Sequence, residues 1–472
     1  MSKIGLIKAM LLCRKYPNLD IAERDALRRQ RLDALVAYAR ANSPYYAKLY
    51  AALPDAPTLC ELPPVTKPEL MAHWDDWVTD RDVTLADVNA FMSSRENLGR
   101  KFRGNYQVAT TSGSTGNPLV MLCDSTTVNV TNAVSFFRAY ARSEDMKAFI
   151  SRGGRSVGVY ADSGFYLGNG SIHAKLRAFP WKKKQIGIVD ALLPTQQIVE
   201  RLNAFQPVML GGYPSNLELL IEEQKSGRLH ISPTIIMTGG EYLSPQLRRQ
   251  LAETFDCYVQ TSYSCTEGGT IACECRETHF HINDDWLIIE PVDKNNNPVP
   301  DGVLADKLLL TNLSNFTQPL IRYEVTDRII LHHEPCACGN PSPWLEIEGR
   351  TDDVVSLEQS GTMIRLAPLA IYATLKEVHA LRRFQLVVYP GNRMELRLQP
   401  VEGVTREESF TRSAEKLKEF LASQGVYDYT CTLSGEDPKA DPKSGKFKHI
   451  IREDRPENGS VKASQSTPNP VL

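Results

Sequence analysis

The amino-acid sequence predicts an α/β protein, with a large layered N-terminal region and a small α+β domain at the C-terminal end. Short apolar segments alternate with amphipathic helical segments between residues 156 and 260, which is typical of βαβ units in a layered sheet. From 286 to 349 the apolar runs are separated by turn residues, which predicts antiparallel strands in a β-barrel-like subdomain. Beyond residue 349 the order is β-β-α-β, which suits a domain of about 100 residues.

Length and composition limit the class of protein. With 472 residues the chain exceeds the usual size of one domain, so two or three domains are expected. Its content of 42% hydrophobic and 23% charged residues is ordinary for a globular protein. A formal net charge of −2 gives no reason to expect a nucleic acid or an anionic membrane as a partner.

The sequence also predicts where the protein works. No run approaches the ~18 consecutive apolar residues of a membrane span. The N-terminal apolar stretch is interrupted by Lys8 and no small-residue cleavage site follows, so a signal peptide is not expected. We therefore expect a cytoplasmic protein whose ten cysteines are reduced, and their clustering indicates metal binding rather than disulfides.

The N-terminal and central elements follow from hydrophobic spacing and turn residues. An amphipathic helix begins at residue 23 and ends before a turn at 42–46, and a stiff proline-rich connector occupies 62–68. A Gly-rich loop is predicted at 164–170, and a basic run at 181–184 is expected to be a solvated surface. Further helices are predicted at 125–141, 194–203 and 245–254, and buried strands at 156–160, 208–210, 235–237 and 258–260.

The later elements are shorter. Antiparallel strands are predicted at 287–290, 308–311, 320–323 and 328–331. The small domain is predicted to contain strands at 384–389, 394–398 and 429–433 and a helix at 406–423. The resulting domain bounds are 1–348 and 349–455, followed by a disordered tail at 456–472 that lacks aromatic residues.

The stretch from 108 to 118 is the centre of the functional prediction. It contains Thr-Thr-Ser-Gly-Ser-Thr-Gly at 110–116 and lies between two segments of β-forming residues. Uncovered backbone N–H groups and a row of hydroxyls suit a polyphosphate, although a polar hairpin turn has the same composition. It is not the P-loop of nucleoside triphosphatases, because no Gly-Lys-Ser/Thr sequence closes it.

Further motifs occur in order along the chain. They are Gly-Gly-Tyr-Pro-Ser at 211–215, Gly-Gly-Glu at 239–241, Tyr-Ser-Cys-Thr-Glu at 263–267, Arg-Tyr-Glu-Val-Thr-Asp at 322–327, Gly-Arg-Thr-Asp-Asp at 349–353 and Pro-Lys-Ser-Gly-Lys at 442–446. Together with the loop at 110–116 they resemble the motifs of the adenylate-forming superfamily, most closely its phenylacetate–CoA ligase-like branch with the capsule-biosynthesis relatives. The resemblance covers residues 25 to 452.

The resemblance implies roles for individual residues. The phosphates of ATP would contact Thr111, Ser112, Gly113, Ser114, Thr115 and Gly116. The adenine would lie against Gly239, Gly240, Glu241 and Tyr263, and the ribose would be held by Asp327 and Arg350. Thr266 would contact the α-phosphate and Glu267 would hold Mg²⁺, for which a carboxylate oxygen is a suitable ligand. Ser264 departs from the family pattern, where glycine is usual.

The two C-terminal motifs imply motion and catalysis. Asp352 would be the hinge about which the small domain swings between the two half-reactions. Lys446 would be the catalytic lysine, whose ammonium offsets the charge that develops at the α-phosphate. Because the motif is one residue shorter than the usual superfamily spacing, Lys443 and Lys448 stay as alternatives.

A separate group of cysteines and histidines predicts a structural Zn²⁺ site. Thiolate and imidazole ligands in this number favour tetrahedral zinc. The proposed ligands are Cys275, His281, Cys336 and Cys338, with Cys273 and His279 as alternates. A reduced cysteine-rich pair of loops without metal is the other interpretation.

The resemblance implies an enzyme that uses Mg²⁺ and ATP to convert a carboxylic acid, by default an aryl acid, to an acyl-adenylate, with CoA as the expected acceptor. An amine or a carrier protein is the alternative acceptor, and a homodimer is left open. A nucleotide-binding protein without catalytic activity is the alternative from another class. Both Lys446 and Glu267 are present, which favours the enzyme.

Overall fold

The computed structural model describes residues 3–111, 118–162, 164–350, 354–366, 368–442 and 446–453. It divides the chain into two units. The first unit contains Met1–Thr351 and also Ala440–Phe447, and the second contains Asp352–Lys439 and Lys448–Leu472. The first unit thus ends at residue 351, against the predicted 348, and the sequence does not predict the return of 440–447 to it. The predicted tail at 456–472 lies outside the described residues.

The N-terminal part of the first unit is helical and leads into a hairpin. Helix α2 (Ile21–Asn42) begins after Asp20, whose side chain accepts a 2.8 Å hydrogen bond from the backbone N–H of Glu23. The strands β1 (Gln107–Thr110) and β2 (Val120–Cys123) pair antiparallel on either side of the predicted phosphate loop. The helices are α1 (Leu6–Lys15), α2 (Ile21–Asn42), α3 (Pro44–Leu49), α4 (Lys67–Ala72), α5 (Trp74–Trp77), α6 (Leu85–Met92) and α7 (Ser125–Arg138).

A parallel sheet forms the middle of the first unit, because each buried strand is followed by a helix that returns the chain to the same edge. In sheet order the strands run β7-β6-β5-β3-β4, and all four neighbouring pairs are parallel. The elements are α8 (Ser143–Ser151), β3 (Ser156–Tyr160), α9 (Leu167–Ala178), β4 (Ile186–Asp190), α10 (Thr195–Phe205), β5 (Met209–Gly212), α11 (Pro214–Lys225), β6 (Ile235–Gly239), α12 (Pro245–Phe255) and β7 (Tyr258–Cys265).

Antiparallel strands continue this sheet beyond β7. They are β8 (Gly269–Glu274), β9 (Phe280–Ile282), β13 (Asp327–His332) and β14 (Trp344–Arg350), in the order β13-β14-β9-β8-β7. The strands β10 (Leu287–Val292), β11 (Lys307–Asn312) and β12 (Tyr323–Val325) form a separate three-stranded sheet. Of the four antiparallel strands predicted for a barrel-like part, three therefore make the small sheet and the fourth joins the large one.

The second unit is an α+β domain with its own core. It contains β15 (Val355–Gln359), β16 (Thr362–Leu366), α13 (Pro368–Lys376), β17 (Leu381–Tyr389), β18 (Arg393–Pro400), α14 (Arg406–Ser423), β19 (Thr430–Leu433) and β20 (Ile450–Arg452). The sheet order is β19-β18-β17-β20, and β15 pairs with β16. Helix α14 has the predicted bounds, and Leu417 and Leu421 on its inner face are fully buried.

Several local predictions are corrected. The predicted loop at 164–170 is largely the start of α9, where Gly170 packs closely on Gln107 of β1. The strand predicted at 320–323 begins only at Tyr323, because Arg322 has a left-handed φ of 52° that interrupts extended backbone. Residues Ser262–Cys265 belong to β7 rather than to a turn, and the helix predicted at 125–141 ends at Arg138.

No helix in the described ranges is both long and apolar enough to cross a lipid bilayer.

Candidate functional site

The carboxyl ends of β5, β6 and β7 place three of the predicted motifs side by side. Gly212 of β5 is paired with Thr238 of β6, and Gly239 is paired with Ser262 of β7. The turns at 211–215 and 239–241 and the motif at 263–267 therefore follow each other along one edge. Ligands of open α/β sheets bind at this edge.

The base of the predicted phosphate loop lies next to the same edge. Thr111 closes the loop twice: its N–H donates to the carbonyl of Leu119 at 3.1 Å, and its Oγ1 accepts from the N–H of Leu119 at 2.8 Å. Thr266 donates a long hydrogen bond of 3.5 Å to the carbonyl of Thr110. The loop base and the end of β7 are thus in contact. The predicted phosphate contacts Ser112, Gly113, Ser114, Thr115 and Gly116 lie outside the described residues.

The structure brings two further predicted residues together. The hydroxyl of Tyr263 donates to Oδ2 of Asp327 at 2.5 Å, although the two residues are 64 positions apart. Tyr263 is held by β7, and Asp327 is the first residue of β13. In the backbone register Asp327 is paired with Arg350, the last residue of β14. The predicted adenine and ribose contacts therefore lie in one place.

Glu267 follows β7 and is held from below. Its carbonyl accepts from Nδ2 of Asn312 at 2.9 Å, and its Oε1 accepts from the hydroxyl of Tyr323 at 3.1 Å. The partner of this carboxylate oxygen is thus a neutral hydroxyl. A carboxylate oxygen is the kind of ligand that suits a hard divalent cation such as Mg²⁺.

The carboxylate of Glu241 is partly buried and accepts three hydrogen bonds. Its Oε2 accepts from the N–H of Ser215 at 3.0 Å, and its Oε1 accepts from the hydroxyl of Ser215 at 3.1 Å and from the N–H of Phe447 at 2.7 Å. Burial raises the pKa of Glu241, while these hydrogen bonds and the nearby charge of Lys446 act in the opposite direction. Glu241 therefore ties the C-terminal motif to the turn at 211–215.

Lys446 lies over the Gly-Gly-Glu turn. A methyl group on Gly240 would lie 3.4 Å from Cε of Lys446 and 3.2 Å from the ring of Tyr213, and the φ of Gly240 is +79°. The Nζ of Lys446 is 5.9 Å from the centre of the Tyr213 ring. The N–H of Asp441 donates to the carbonyl of Lys446 at 2.8 Å and closes the segment. Glycine at 240 gives the lysine room to approach.

The structure describes one of the two alternative lysines. Lys448 is exposed and belongs to the second unit, and its carbonyl accepts from Gln385. Lys443 lies outside the described residues, as does the predicted hinge residue Asp352. Lys446 belongs to the first unit and lies beside Gly240 of the predicted adenine turn.

The cysteine–histidine cluster forms at the antiparallel side of the same sheet. Cys275 follows β8, His281 lies in β9, and Cys336 and Cys338 lie in the loop before β14. Since β14 pairs with β9, with Trp344 opposite His281, the two loops meet. One ligand atom from each of the four residues lies within 4.8 Å of those of the others.

The geometry of the cluster fits a tetrahedral metal. The sulfurs of Cys275 and Cys336 are 3.9 Å apart, and Nε2 of His281 is 3.2 Å from the sulfur of Cys338. The other ring nitrogen of His281 is 2.8 Å from the carbonyl of Ser342, which orients Nε2 towards the cluster. Soft sulfur and imidazole donors at this separation suit Zn²⁺.

The two alternates are placed apart from each other. His279 stacks on Trp344 with ring centres 3.8 Å apart, and its Nδ1 is 3.3 Å from the sulfur of Cys336. His279 is therefore next to the cluster. Cys273 is buried beside Asn283, within hydrogen-bonding range of that amide and outside the group of four.

Sequence reasoning misses a pair of tyrosines near the Gly-Gly-Glu turn. The rings of Tyr160 and Tyr213 meet edge to face with centres 5.0 Å apart, beside Gly211 and Gly240. A tyrosine at the end of a buried strand is ordinary for a core, so its spacing carries no functional signal. The structure shows its place: Tyr160 is the last residue of β3, which lies next to β5 in the sheet, so it is close to the turn at 211–215.

Comparison with known proteins gives three findings of note. A phenylacetate–coenzyme A ligase of Thermus thermophilus is 25% identical over 395 residues, which cover 79% of this chain and 80% of that protein. Protein CapK of Staphylococcus aureus is 26% identical over 138 residues, 29% of each chain. A 2-hydroxyisobutyryl-CoA ligase, in the postadenylation state with 2-HIB-AMP, shares the fold with a TM-score of 0.66 at 20% identity, covering 92% of this chain and 90% of that chain. No family model matches the chain.

Proposed function

We propose that this chain is an enzyme of the phenylacetate–CoA ligase-like branch of the adenylate-forming superfamily, and that it converts an aryl carboxylic acid to its CoA thioester through an acyl-adenylate. The observation that carries this proposal is the position of Lys446. It comes from the C-terminal motif, yet lies against Gly240 and Tyr213 in the unit that also contains Asp327 and Glu267.

In the first half-reaction a carboxylate oxygen of the acid attacks the α-phosphorus of ATP, and pyrophosphate leaves with the bond electrons. Asp327 would accept hydrogen bonds from the ribose hydroxyls, and its 2.5 Å bond to Tyr263 fixes its position beforehand. The base of the phosphate loop is held by Thr111. These residues orient the nucleotide, which accounts for much of the catalysis of such a displacement.

Two groups of the site, Glu267 and Lys446, would meet the charge of the phosphates. Glu267 would hold Mg²⁺, which neutralises charge on the phosphates when bound. The ammonium of Lys446 would offset the charge that builds up as the carboxylate approaches and pyrophosphate departs. The bond from the N–H of Phe447 to Glu241 supports this role, because it holds the residue next to Lys446 against the Gly-Gly-Glu turn.

The acid is proposed to be aromatic because of the Tyr160–Tyr213 pair. The ring of Tyr213 lies beside Gly240 and that of Tyr160 beside Gly211, and the Nζ of Lys446, which the reacting carboxylate would meet, is 5.9 Å from the centre of the Tyr213 ring. Edge-to-face contact with a third ring is favourable for such a pair. In the second half-reaction the thiol sulfur of CoA attacks the acyl carbon, its proton is lost and AMP leaves. The swing between the two steps would occur at Asp352.

We also propose that Cys275, His281, Cys336 and Cys338 hold a structural Zn²⁺. The four ligand atoms lie within 4.8 Å of one another at the junction of two loops. A closed set of four protein ligands has no open position for a substrate, which is the pattern of structural rather than catalytic zinc.

The test is exchange of labelled pyrophosphate into ATP, measured with a panel of aryl and aliphatic acids in the absence of an acceptor. We expect exchange with aryl acids, and formation of a thioester and AMP once CoA is added. Exchange that leads to product only with an amine or a carrier protein would overturn the choice of acceptor. ATP binding without exchange for any acid would show a nucleotide-binding protein instead.

A further inference from the structure

The segment that carries Lys446 is an excursion of the chain. The chain leaves the second unit after Lys439, contributes Ala440–Phe447 to the first unit and returns at Lys448. Any group that fixes Lys439 and Lys448 therefore fixes both ends of the segment that bears the proposed catalytic lysine. Loops are positioned by the rigid elements from which they emerge.

Gln385 of β17 makes contact with both ends. Its Nε2 donates to the carbonyl of Lys439 at 2.8 Å and to the carbonyl of Lys448 at 2.9 Å. Its Oε1 accepts from the N–H of Lys439 at 3.1 Å. One side-chain amide thus uses two donors and one acceptor to hold two backbone segments nine residues apart in the chain.

The surroundings of Gln385 show that the amide is not there for general packing. It is 1% exposed, and Val387, the next residue on the same face of β17, is 0% exposed. An amide buried away from water is unfavourable unless its hydrogen bonds are made. The three bonds to the ends of the segment satisfy it.

The backbone of β17 supports the same arrangement. The N–H of Leu386 donates to the carbonyl of His449 at 2.8 Å, and Leu386 begins the parallel pairing of β17 with β20 at Ile450. The return end of the segment is therefore anchored by a strand. At the other end of the segment, Lys439 is held by Gln385, which bonds to both its N–H and its carbonyl.

We propose that Gln385 is the positioning residue for Lys446. It sets the separation of the two ends of the 440–447 segment and so determines where the ammonium of Lys446 can lie. This inference rests on the proposed function, in which Lys446 acts during adenylate formation. It predicts a specific effect, since no pyrophosphate departs in the second half-reaction and the lysine is not needed there.

The experiment replaces Gln385 with methionine, which has a similar length but donates no hydrogen bond. We expect the maximal rate of pyrophosphate exchange to fall about tenfold or more, because a small misplacement of a catalytic group has effects of this size. The KM for ATP should change by less than about twofold, because ATP contacts are made elsewhere. The rate of thioester formation from supplied acyl-adenylate and CoA should stay within about twofold of wild type.

The matched control is Ser409→Ala. Ser409 is fully buried in the second unit and donates to the carbonyl of Ala380 at 2.9 Å, so its loss removes a buried hydrogen bond away from the segment. Ser409→Ala should leave the ratio of the two half-reactions unchanged. An unchanged exchange rate in Gln385→Met, or an equal fall in both half-reactions, would overturn the proposal.

A second measurement keeps this test separate from that of the enzyme activity. The rate at which an amine-reactive reagent modifies Lys446, followed by mass spectrometry, should rise in Gln385→Met and stay unchanged in Ser409→Ala. If wild type shows no exchange with any acid, the proposed function fails while this labelling still tests Gln385. If Gln385→Met does not fold, Gln385→Asn, whose amide is too short to span both ends, is measured instead, and equal labelling in that variant would contradict the proposal.

Discussion

The proposed nucleotide site and the cysteine–histidine cluster lie on the same sheet but are built in different ways. The proposed nucleotide site lies where β5, β6 and β7 end, and its carboxylates at 241, 267 and 327 accept hydrogen bonds from neutral donors. The cluster lies between antiparallel strands, and its thiols and imidazole lie near each other. Hydrogen bonds from neutral partners can be exchanged for bonds to a substrate. Four soft donors that lie close to one another would fill the coordination of a metal ion and leave no position for a substrate.

This difference suits a reacting site in the first case and a stabilising site in the second. In the first, a parallel sheet holds residues from distant parts of the chain, and the segment 440–447 of the same unit joins them. In the second, two short loops supply all the ligands, with His281 oriented by Ser342. We therefore expect changes in the first site to alter rates and changes in the second to alter stability.

Replacing Lys446 by alanine should have the largest effect. The exchange rate should fall about 10²-fold or more, because the ammonium offsets charge in the transition state. Circular dichroism and the melting temperature should not change, because the side chain adds little packing. Lys448→Ala is the control, since Lys448 is exposed and its backbone carbonyl, which alanine keeps, accepts the bond from Gln385. An unchanged exchange rate in Lys446→Ala would direct attention to Lys443.

Replacing Cys336 by serine should affect stability rather than rate. We expect less than about half an equivalent of zinc in the purified variant, and a melting temperature lower by about 5 °C or more. Zinc is measured by elemental analysis and unfolding by calorimetry. Cys60→Ser, at an exposed cysteine outside the cluster, is the control. Full metal content in Cys336→Ser would exclude Cys336 as a ligand and make His279 the next residue to test.

Replacing Asp327 by asparagine should have a smaller effect, limited to the nucleotide. The KM for ATP should rise about tenfold, because a charged acceptor for the ribose hydroxyls is lost. The KM for the acid should stay unchanged, and both are obtained from initial rates. Asp33→Asn, which removes an exposed pair with Arg29, serves as control. Equal increases in both KM values would contradict a ribose contact.

The smallest effect concerns the pH dependence of stability. Because burial raises the pKa of Glu241 above 4.5, the folded protein holds a proton there that the unfolded chain releases. The stabilisation is complete below 4.5 and is lost as pH rises through the raised pKa. Glu241→Gln has no titrating carboxyl at this position. The free energy of unfolding of wild type relative to the variant, measured with urea, should therefore decrease between pH 4.5 and 7. An increase would mean that the bonds from Ser215 and Phe447 outweigh burial.

The predictable parts of the fold were those with strong local signals. Helix α14 has its predicted bounds, and β3 matches residues 156–160, because both have clear periodicity and capping or turn residues. The short strand predicted at 320–323 failed because the left-handed Arg322 is stabilised by tertiary bonds to Glu290 and Leu62. A local pattern does not contain such long-range contacts.

The sequence alone determined which chemical groups are available: the motif residues at 239–241, 263–267 and 322–327, the lysine at 446 and the four soft metal donors. Only the tertiary structure decided their neighbours. It placed Tyr263 on Asp327, Phe447 on Glu241, and Gln385 between Lys439 and Lys448. The physical reason is that residue type and spacing encode local conformation and ligand chemistry, whereas a hydrogen bond between residues 64 or 206 positions apart exists only once the sheet has brought them together.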